Sequence, residues 1–188
     1  MTTIIETERL ILRTWKNEDA NAYYQINQDP KVIEFLKGSL TMKEVTDFIS
    51  FVNKQFDEIG YSVWAAEEKS SGKLMGYIGL DPIKWNPPFG KAVEIEWRLG
   101  SEYWYKGYAT EGARACLDFA FNKCGLKEIV SFTVPANIRS IRVMEKIGMR
   151  RDINGDFAHP DLPPDHKLSK HILYRLTVDE YLQGDNHG

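Results

Sequence analysis

Residues 103–111 read Tyr-Trp-Tyr-Lys-Gly-Tyr-Ala-Thr-Glu, and the patterns on either side set the kind of fold that holds them. Upstream, Val93, Ile95, Trp97 and Leu99 alternate with Glu94, Glu96 and Arg98, the period-two pattern of a strand. Downstream, Ala109, Ala113, Cys116, Leu117, Ala120, Phe121 and Cys124 recur at helical spacing. The order strand, tight loop, helix marks a mixed α/β chain. Gly107 lets the backbone approach a ligand closely, and the first turn of the helix offers unpaired N–H groups and the positive end of its dipole to an anion. A pyrophosphate suits such a cradle.

The loop fails the two commoner phosphate templates. A P-loop needs Gly, four intervening residues, then Gly-Lys-Ser/Thr, whereas Lys106 precedes Gly107 and Tyr108 follows it. A dinucleotide fingerprint needs three glycines at its own spacing, which Gly107 and Gly112 do not supply. Trp104-Tyr105-Lys106-Gly107-Tyr108-Ala109 instead resembles the Gln/Arg-x-x-Gly-x-Gly/Ala signature of the GNAT superfamily of CoA-dependent N-acetyltransferases, with Trp104 departing at the first position. Thr7-Glu8-Arg9-Leu10-Ile11-Leu12-Arg13 resembles the first strand of its RimJ/RimL-like branch, typified by acetylation of ribosomal-protein N-termini. Asn137-Ile138-Arg139-Ser140 through Glu145-Lys146-Ile147-Gly148-Met149 resembles that branch's second CoA-side helix. Phe157-Ala158-His159-Pro160 and His171-Ile172-Leu173-Tyr174-Arg175-Leu176 are similar to its C-terminal stretch. The matches follow in order over nearly the whole chain.

Composition agrees. The 188 residues fit one domain, taken as 1–182 with a short polar tail at 183–188, and 43% hydrophobic residues are ample for one core. A net charge of -3 without a basic, aromatic-interleaved run argues against direct nucleic-acid binding. No N-terminal apolar stretch or bilayer-length window is present, so a soluble, cytoplasmic protein without membrane attachment is expected. Cys116 and Cys124 lie on one predicted helix with Cα atoms roughly 12 Å apart, too far for a disulfide. No Cys/His cluster has metal-ligand spacing, so no metal is expected.

Along the chain, a strand near Glu8–Thr14 leads to a helix started by Asn17. Thr41 and Glu44 form a capping box for a helix carrying Val45, Phe48, Ile49, Val52 and Phe56 and ended by Gly60. Strands over Tyr61–Glu67, Leu74–Leu80 and Ala92–Leu99 form an antiparallel meander. The loop helix spans about Ala109 to Lys123, strand Ile129–Val134 follows, and Asn137 caps a helix ended by Gly148. Strands near Arg150 and over Lys170–Leu176 close the domain.

The resemblance implies a central, mostly antiparallel twisted sheet flanked by helices, whose fourth and fifth strands, here Val93–Leu99 and Ile129–Val134, run parallel and splay apart to admit acetyl-CoA. It implies that the backbone of Trp97, Arg98 and Leu99 pairs with the pantetheine arm. By the same carry-over, Tyr105, Lys106, Gly107, Tyr108, Ala109 and Thr110 hold the pyrophosphate and Asn137 bonds the arm from the far side. Ser140 is implied as the acid that protonates the departing thiolate. From spacing alone, Asn137 and Ser140 read equally as an N-cap and its local partner. A base must also deprotonate the amine. Glu94 and Glu96 share one face of their strand and are both candidates, which their pattern does not separate. His159 and His171 are lower candidates, and Tyr174 is either a donor to the thiolate or a packing residue. Trp85, Pro87, Pro88 and Phe89 either wall an acceptor site or cover the core.

The expected activity is transfer of an acetyl group from acetyl-CoA to a primary amine by direct attack in a ternary complex. The acceptor is a protein N-terminus, such as that of a ribosomal protein, or a small amine. The alternative is a catalytically silent acyl-CoA-binding sensor or regulatory module, and a homodimer is compatible with the family.

Overall fold

The computed structural model describes residues 1–185. Eight strands form one sheet, β1 (Thr3–Glu6), β2 (Leu10–Arg13), β3 (Val63–Glu68), β4 (Lys73–Pro82), β5 (Val93–Leu99), β6 (Glu128–Thr133), β7 (Arg150–Ala158) and β8 (Lys170–Thr177). They are ordered β1-β2-β3-β4-β5-β6-β8-β7. The helices are α1 (Asp19–Ile26), α2 (Pro30–Ile33), α3 (Met42–Ile59), α4 (Tyr108–Asp118), α5 (Ile138–Lys146) and α6 (Val178–Asp185). Every neighbouring pair is antiparallel except β5 and β6, which run parallel and share a single register pair, Glu94 with Val130. This is the open, mixed α/β sheet with a splayed central pair that the sequence implies. Because β1 and β2 both precede the meander, the splayed strands are the fifth and sixth in the chain.

Both faces of the sheet are covered, and β3 shows how. Its Val63 and Ala65 pack with Trp15, Tyr23, Val45, Ile49 and Val52 beneath α1 and α3, while Trp64 and Ala66 face the larger core with Leu10, Ile78, Cys116 and Leu117. Alternate residues therefore enter different cores, which explains an apolar run in place of a polar alternation. Helix α4 lies close on the sheet because Gly112 has no side chain: a Cβ there would stand 2.4 Å from Ile78 Cδ1.

Local signals place several boundaries. Thr41 and Glu44 form the reciprocal capping box at α3, and Gly60 closes that helix in the left-handed conformation. Other boundaries depend on distant partners. The strand expected from Glu8 begins at Leu10, because Thr7 to Arg9 form a hairpin turn fastened to α4. Glu111 Oε1 accepts Thr7 Oγ1 at 2.6 Å and the Arg9 N–H at 2.9 Å. The helix expected to continue to Lys123 changes at Phe119 to a π-helical turn, Phe119–Lys123. This wider turn sets Phe119 edge-on to Trp64, at 5.2 Å, while Ala120 and Phe121 are also buried. The tail expected over 183–188 falls partly on α6, which runs to Asp185; residues 186–188 lie outside the described residues.

Beneath α1 a buried cation is held by two carboxylates. The Arg13 side chain, 2% exposed, meets Asp19 through Nη1 and Nη2 at 2.7 and 2.9 Å and Glu67 through Nε at 2.7 Å. Removing one member of such a network leaves a desolvated charge, which typically costs about 3 kcal/mol or more. Asp19→Ala is therefore expected to lower the unfolding free energy by about 3 kcal/mol in urea denaturation. Arg13→Met combined with Asp19→Leu should cost less than the single change, since the remaining carboxylate, Glu67, is partly exposed and keeps Lys16 at 3.6 Å.

Candidate active site

The site begins where the chain leaves β5. Tyr105 and Gly107 both adopt positive φ, 61° and 85°, turning the loop so that Gly107 becomes the N-cap of α4 without any side-chain cap. The first N–H groups of α4 thus lack intrahelical acceptors. A Cβ on Gly107 would come within 3.3 Å of Arg9 Nη2, so the cradle depends on the absence of a side chain there. Arg9 braces the loop from behind: it pairs with Glu111 at 2.6 Å, donates to the Lys106 carbonyl at 2.9 Å and lies 4.5 Å from the centre of the Tyr108 ring.

Tyr105, Gly107, Tyr108, Ala109 and Thr110 line one cavity of about 590 Å³ together with Glu94, Glu96, Trp97, Arg98, Leu99, Asn137 and Ser140. Of the residues expected to hold acetyl-CoA, Lys106 alone lies off this wall. Its ammonium turns toward the Tyr103 ring, 6.0 Å away, and its carbonyl is held by Arg9.

Strand β5 forms one side of the cavity. The Gly100 N–H donates to Met75 on β4. By the alternation of a strand, the backbone groups of Leu99 and Trp97 then point the other way, into the splay, where β6 has already diverged. Arg98 departs from expectation: its backbone faces β4, opposite Tyr77, and its guanidinium reaches Asn27 Oδ1 at 2.7 Å and the Tyr23 hydroxyl at 3.3 Å. It is a half-buried cation in the wall of the site and not a strand-edge contact. Trp104, in the unusual first position of the loop motif, donates from Nε1 to the Leu99 carbonyl at 2.8 Å.

Helix α5 forms the other side. Asn137 accepts the Ser140 N–H at 3.3 Å and donates through Nδ2 to Thr133 Oγ1 and Ser140 Oγ, each at 3.0 Å. The cap reading and the site reading therefore coincide. Both amide hydrogens of Asn137 are engaged, so toward a ligand it has only its second carbonyl lone pair. Ser140 Oγ accepts from Asn137 and keeps its own proton free to donate.

The two carboxylates separate by their partners. The Glu94 carboxyl lies across the splay from the backbone of Phe132, and its pKa is raised by burial and then by Glu96 and Asp81. Glu96 accepts the Tyr77 hydroxyl at 3.0 Å. Burial and then Asp81, opposed by Arg98 and the Tyr77 hydroxyl, leave Glu96 pushed up to about 7. Both are half-buried at the foot of a deep cleft, where protein surrounds carboxylates that water still reaches.

His159 and His171 also line the cavity, each held below its ordinary pKa mainly by burial. Tyr174 is instead buried, its hydroxyl 3.5 Å from Glu145 and off the cavity wall, which favours the packing role.

With this geometry in place, comparison decides the family. The description of an acetyltransferase (GNAT) domain matches residues 9–150, three quarters of the chain. The chain belongs to the GNAT acetyltransferases. A Bacillus subtilis relative, the uncharacterised N-acetyltransferase YnaD, is 34% identical over 180 residues, which are 94% of this chain and 98% of YnaD. The FsC-acetyl coenzyme A-N(2)-transacetylase of Aspergillus fumigatus is 25% identical over 95% of this chain and 78% of its own length. The crystal structure of a GNAT-family acetyltransferase from Bacillus anthracis aligns with a TM-score of 0.75 at 27% identity, covering 92% of this chain and 97% of that one. Among the described residues, no helix is long and apolar enough to cross a membrane.

Sequence reasoning missed three contributors to this acyltransferase's cleft. Phe35, after α2, and Arg139 converge on Trp104: the guanidinium lies 4.5 Å from the Trp104 ring and 5.5 Å from that of Phe35, and pairs with Glu34 at 2.6 Å. A tryptophan in the Gln/Arg slot of the motif was the available signal for one of them.

The Glu96 environment sets a stability dependence. An unfolded glutamate loses its proton near 4.5, whereas folded Glu96 retains it to about 7. Between these values the unfolded state binds fewer protons, so this group's contribution to stability falls as pH rises through the window. Glu96→Gln removes that slope. Relative to wild type, the variant should gain on the order of 1 kcal/mol in urea-denaturation free energy between the acidic end of the window and pH of about 8. A variant with the wild-type slope would mean that Glu96 is ionised throughout.

Proposed function

We propose that this protein transfers an acetyl group from acetyl-CoA to a primary amine by direct attack within a ternary complex, with Glu96 as the base. The observation that carries this reading is one cavity that gathers a free strand edge, an uncapped helix N-terminus, a serine hydroxyl and a carboxyl group that titrates near neutrality. A silent acyl-CoA-binding module would not need that carboxyl. The relative named for N(2)-acetyl transfer from acetyl coenzyme A supports the same cosubstrate. The likeness of Thr7–Arg13 and Asn137–Met149 to the RimJ/RimL-like branch supports an exposed amine, at a protein N-terminus or on a small molecule, as acceptor.

The residues fit acetyl-CoA without rearrangement of the sheet. The N-terminal N–H groups of α4, with Gly107 leaving the approach clear, would take the pyrophosphate. The backbone groups of Trp97 and Leu99 in the splay would pair with the pantetheine arm, Leu99 through its N–H because Trp104 holds its carbonyl. When bound, acetyl-CoA supplies a thioester carbonyl open to attack and a thiolate leaving group.

The chain's own groups then act in sequence. An amine arrives mostly protonated, since a lysine-type ammonium has a pKa of about 10.4 and an α-ammonium one of about 8. Glu96 in its ionised form takes that proton, directly or through water, and leaves the nitrogen lone pair free to attack. A strand N–H not taken by the arm would stabilise negative charge as it develops on the carbonyl oxygen. As the C–S bond breaks, Ser140, oriented by Asn137, would donate to the departing sulfur and regain its proton from the nitrogen that has attacked, so that the thiol leaves and the hydroxyl is restored.

Because the ionised form of Glu96 is the active one, kcat/KM should rise as pH passes through about 7. Glu96→Gln should lower kcat/KM at neutral pH by about 100-fold or more, the usual range for a lost general base, with partial recovery as free amine becomes abundant at higher pH. Ser140→Ala should reduce kcat while the affinity for CoA, measured by calorimetry, stays unchanged. Wild-type pH–rate behaviour in Glu96→Gln would remove the carboxylate from the mechanism.

A further inference from the structure

Beyond the carboxylates, the cavity is walled by rings that the chemistry above does not use. Trp85, from the loop between β4 and β5, lies 5.8 Å from His159, His159 lies 5.3 Å from His171, and His171 lies 5.8 Å from Phe132, all between ring centres. All four line the cavity with Glu94 and Glu96, and Phe132 lies two residues beyond Val130, the register partner of Glu94. The wall therefore starts beside the carboxylates. It is also built to stay in place. Buried Phe157 stacks on His171 at 5.5 Å and lies 5.5 Å from Trp85. His171 Nδ1 is held 3.1 Å from the Ser169 carbonyl, and His159 Nδ1 accepts the Asp161 N–H at 3.3 Å.

Charge narrows what such a wall accepts. The acidic residues on the cavity lining are Glu94 and Glu96, side by side on one strand, against Lys31, Arg98, Arg139, Arg142 and Lys146. At the outer rim Asp161 is paired with Lys37 at 3.1 Å, and the face of Phe89 behind Trp85 is covered by Arg175 at 5.5 Å. A substrate with several ammonium groups would find carboxylates for one of them and none for the next. A substrate with one ammonium and a flat apolar body would place the first at Glu94 and Glu96 and the second among rings, where edge and offset contacts favour aromatic partners.

We infer that Trp85, Phe132, His159 and His171 form an acceptor subsite for a primary amine borne a few bonds from an aromatic or similarly planar apolar ring. The inference rests on the acetyl-transfer reading above and adds the substrate class.

The test is an acetylation panel read by thiol release and mass spectrometry, with amine binding followed separately by thermal shift in the presence of CoA. The amines are phenethylamine, tryptamine, hexylamine, spermidine, kanamycin, and peptides beginning with Phe or Ser. The ring amines, or the Phe-first peptide if the natural source is a chain terminus, are expected to exceed spermidine and kanamycin in kcat/KM by at least about 10-fold. Trp85→Ala, and Trp85→Leu as the variant that keeps the loop filled, should raise KM for the preferred ring amine about 10-fold more than for hexylamine, as expected for loss of one aromatic contact with its buried area. Equal or better use of spermidine, kanamycin or the Ser-first peptide overturns the subsite and leaves the acetyltransferase standing. So does a Trp85 effect that is the same for every amine. Intact CoA binding with no amine shifting or reacting overturns both the subsite and the acetyl-transfer reading, and favours the silent acyl-CoA-binding module. Absence of any thermal shift with CoA and of any acetylation overturns the underlying reading and the inference with it.

Discussion

Where β5 and β6 diverge, the sheet gives up strand partners. Glu94 pairs in register with Val130, and the two strands share no other register pair. By the alternation fixed at Gly100, the backbone groups of Trp97 and Leu99 then face the splay without a neighbouring strand. A buried N–H without an acceptor is costly, so groups left by two parallel strands that separate need water or a ligand to satisfy them. The cavity follows from that opening.

The same arrangement gives two neighbouring carboxylates different surroundings. Glu94 has Glu96 and Asp81 as its charged neighbours, whereas Glu96 has a phenol hydroxyl as partner and lies beside a half-buried arginine that is itself fixed by Asn27 and Tyr23. Opposed influences of burial, Asp81 and Arg98 bring Glu96 close to neutrality, where a base combines adequate ionisation with useful basicity. On the far side Asn137 caps α5 and orients Ser140 with the same amide. Ser140 is thus held by a residue that also closes a structural element.

Much of this was legible in the sequence where a signal is local. Thr41 with Glu44, Gly60, Asn137 and the Gly107 turn each satisfy or shape backbone within a few residues, and the central strands follow from alternation, with ends displaced by a residue or two. What the sequence did not disclose depends on distant chain. The β1–β2 turn is fastened by Glu111, about a hundred positions away, and the π-helical turn answers to Trp64 on another element. Helix α6 was missed although Thr177 and Glu180 form a cap of the same kind as at α3. In the site, the phosphate loop could be read directly, but Arg98 could not be assigned a backbone direction without its register against β4. The ring wall gathers residues from four separate segments, and Glu94 and Glu96 became distinguishable only through Tyr77.

The central claim is that the edge of β5 inside the splay is the binding edge for acetyl-CoA, and residue-resolved hydrogen exchange of the free and CoA-saturated protein tests it most directly. The account predicts that the Trp97 and Leu99 amides, which point into the splay, gain protection on CoA binding, while the Arg98 amide, already bonded to β4, changes little. CoA binding that leaves Trp97 and Leu99 exchanging as in the free protein would contradict it.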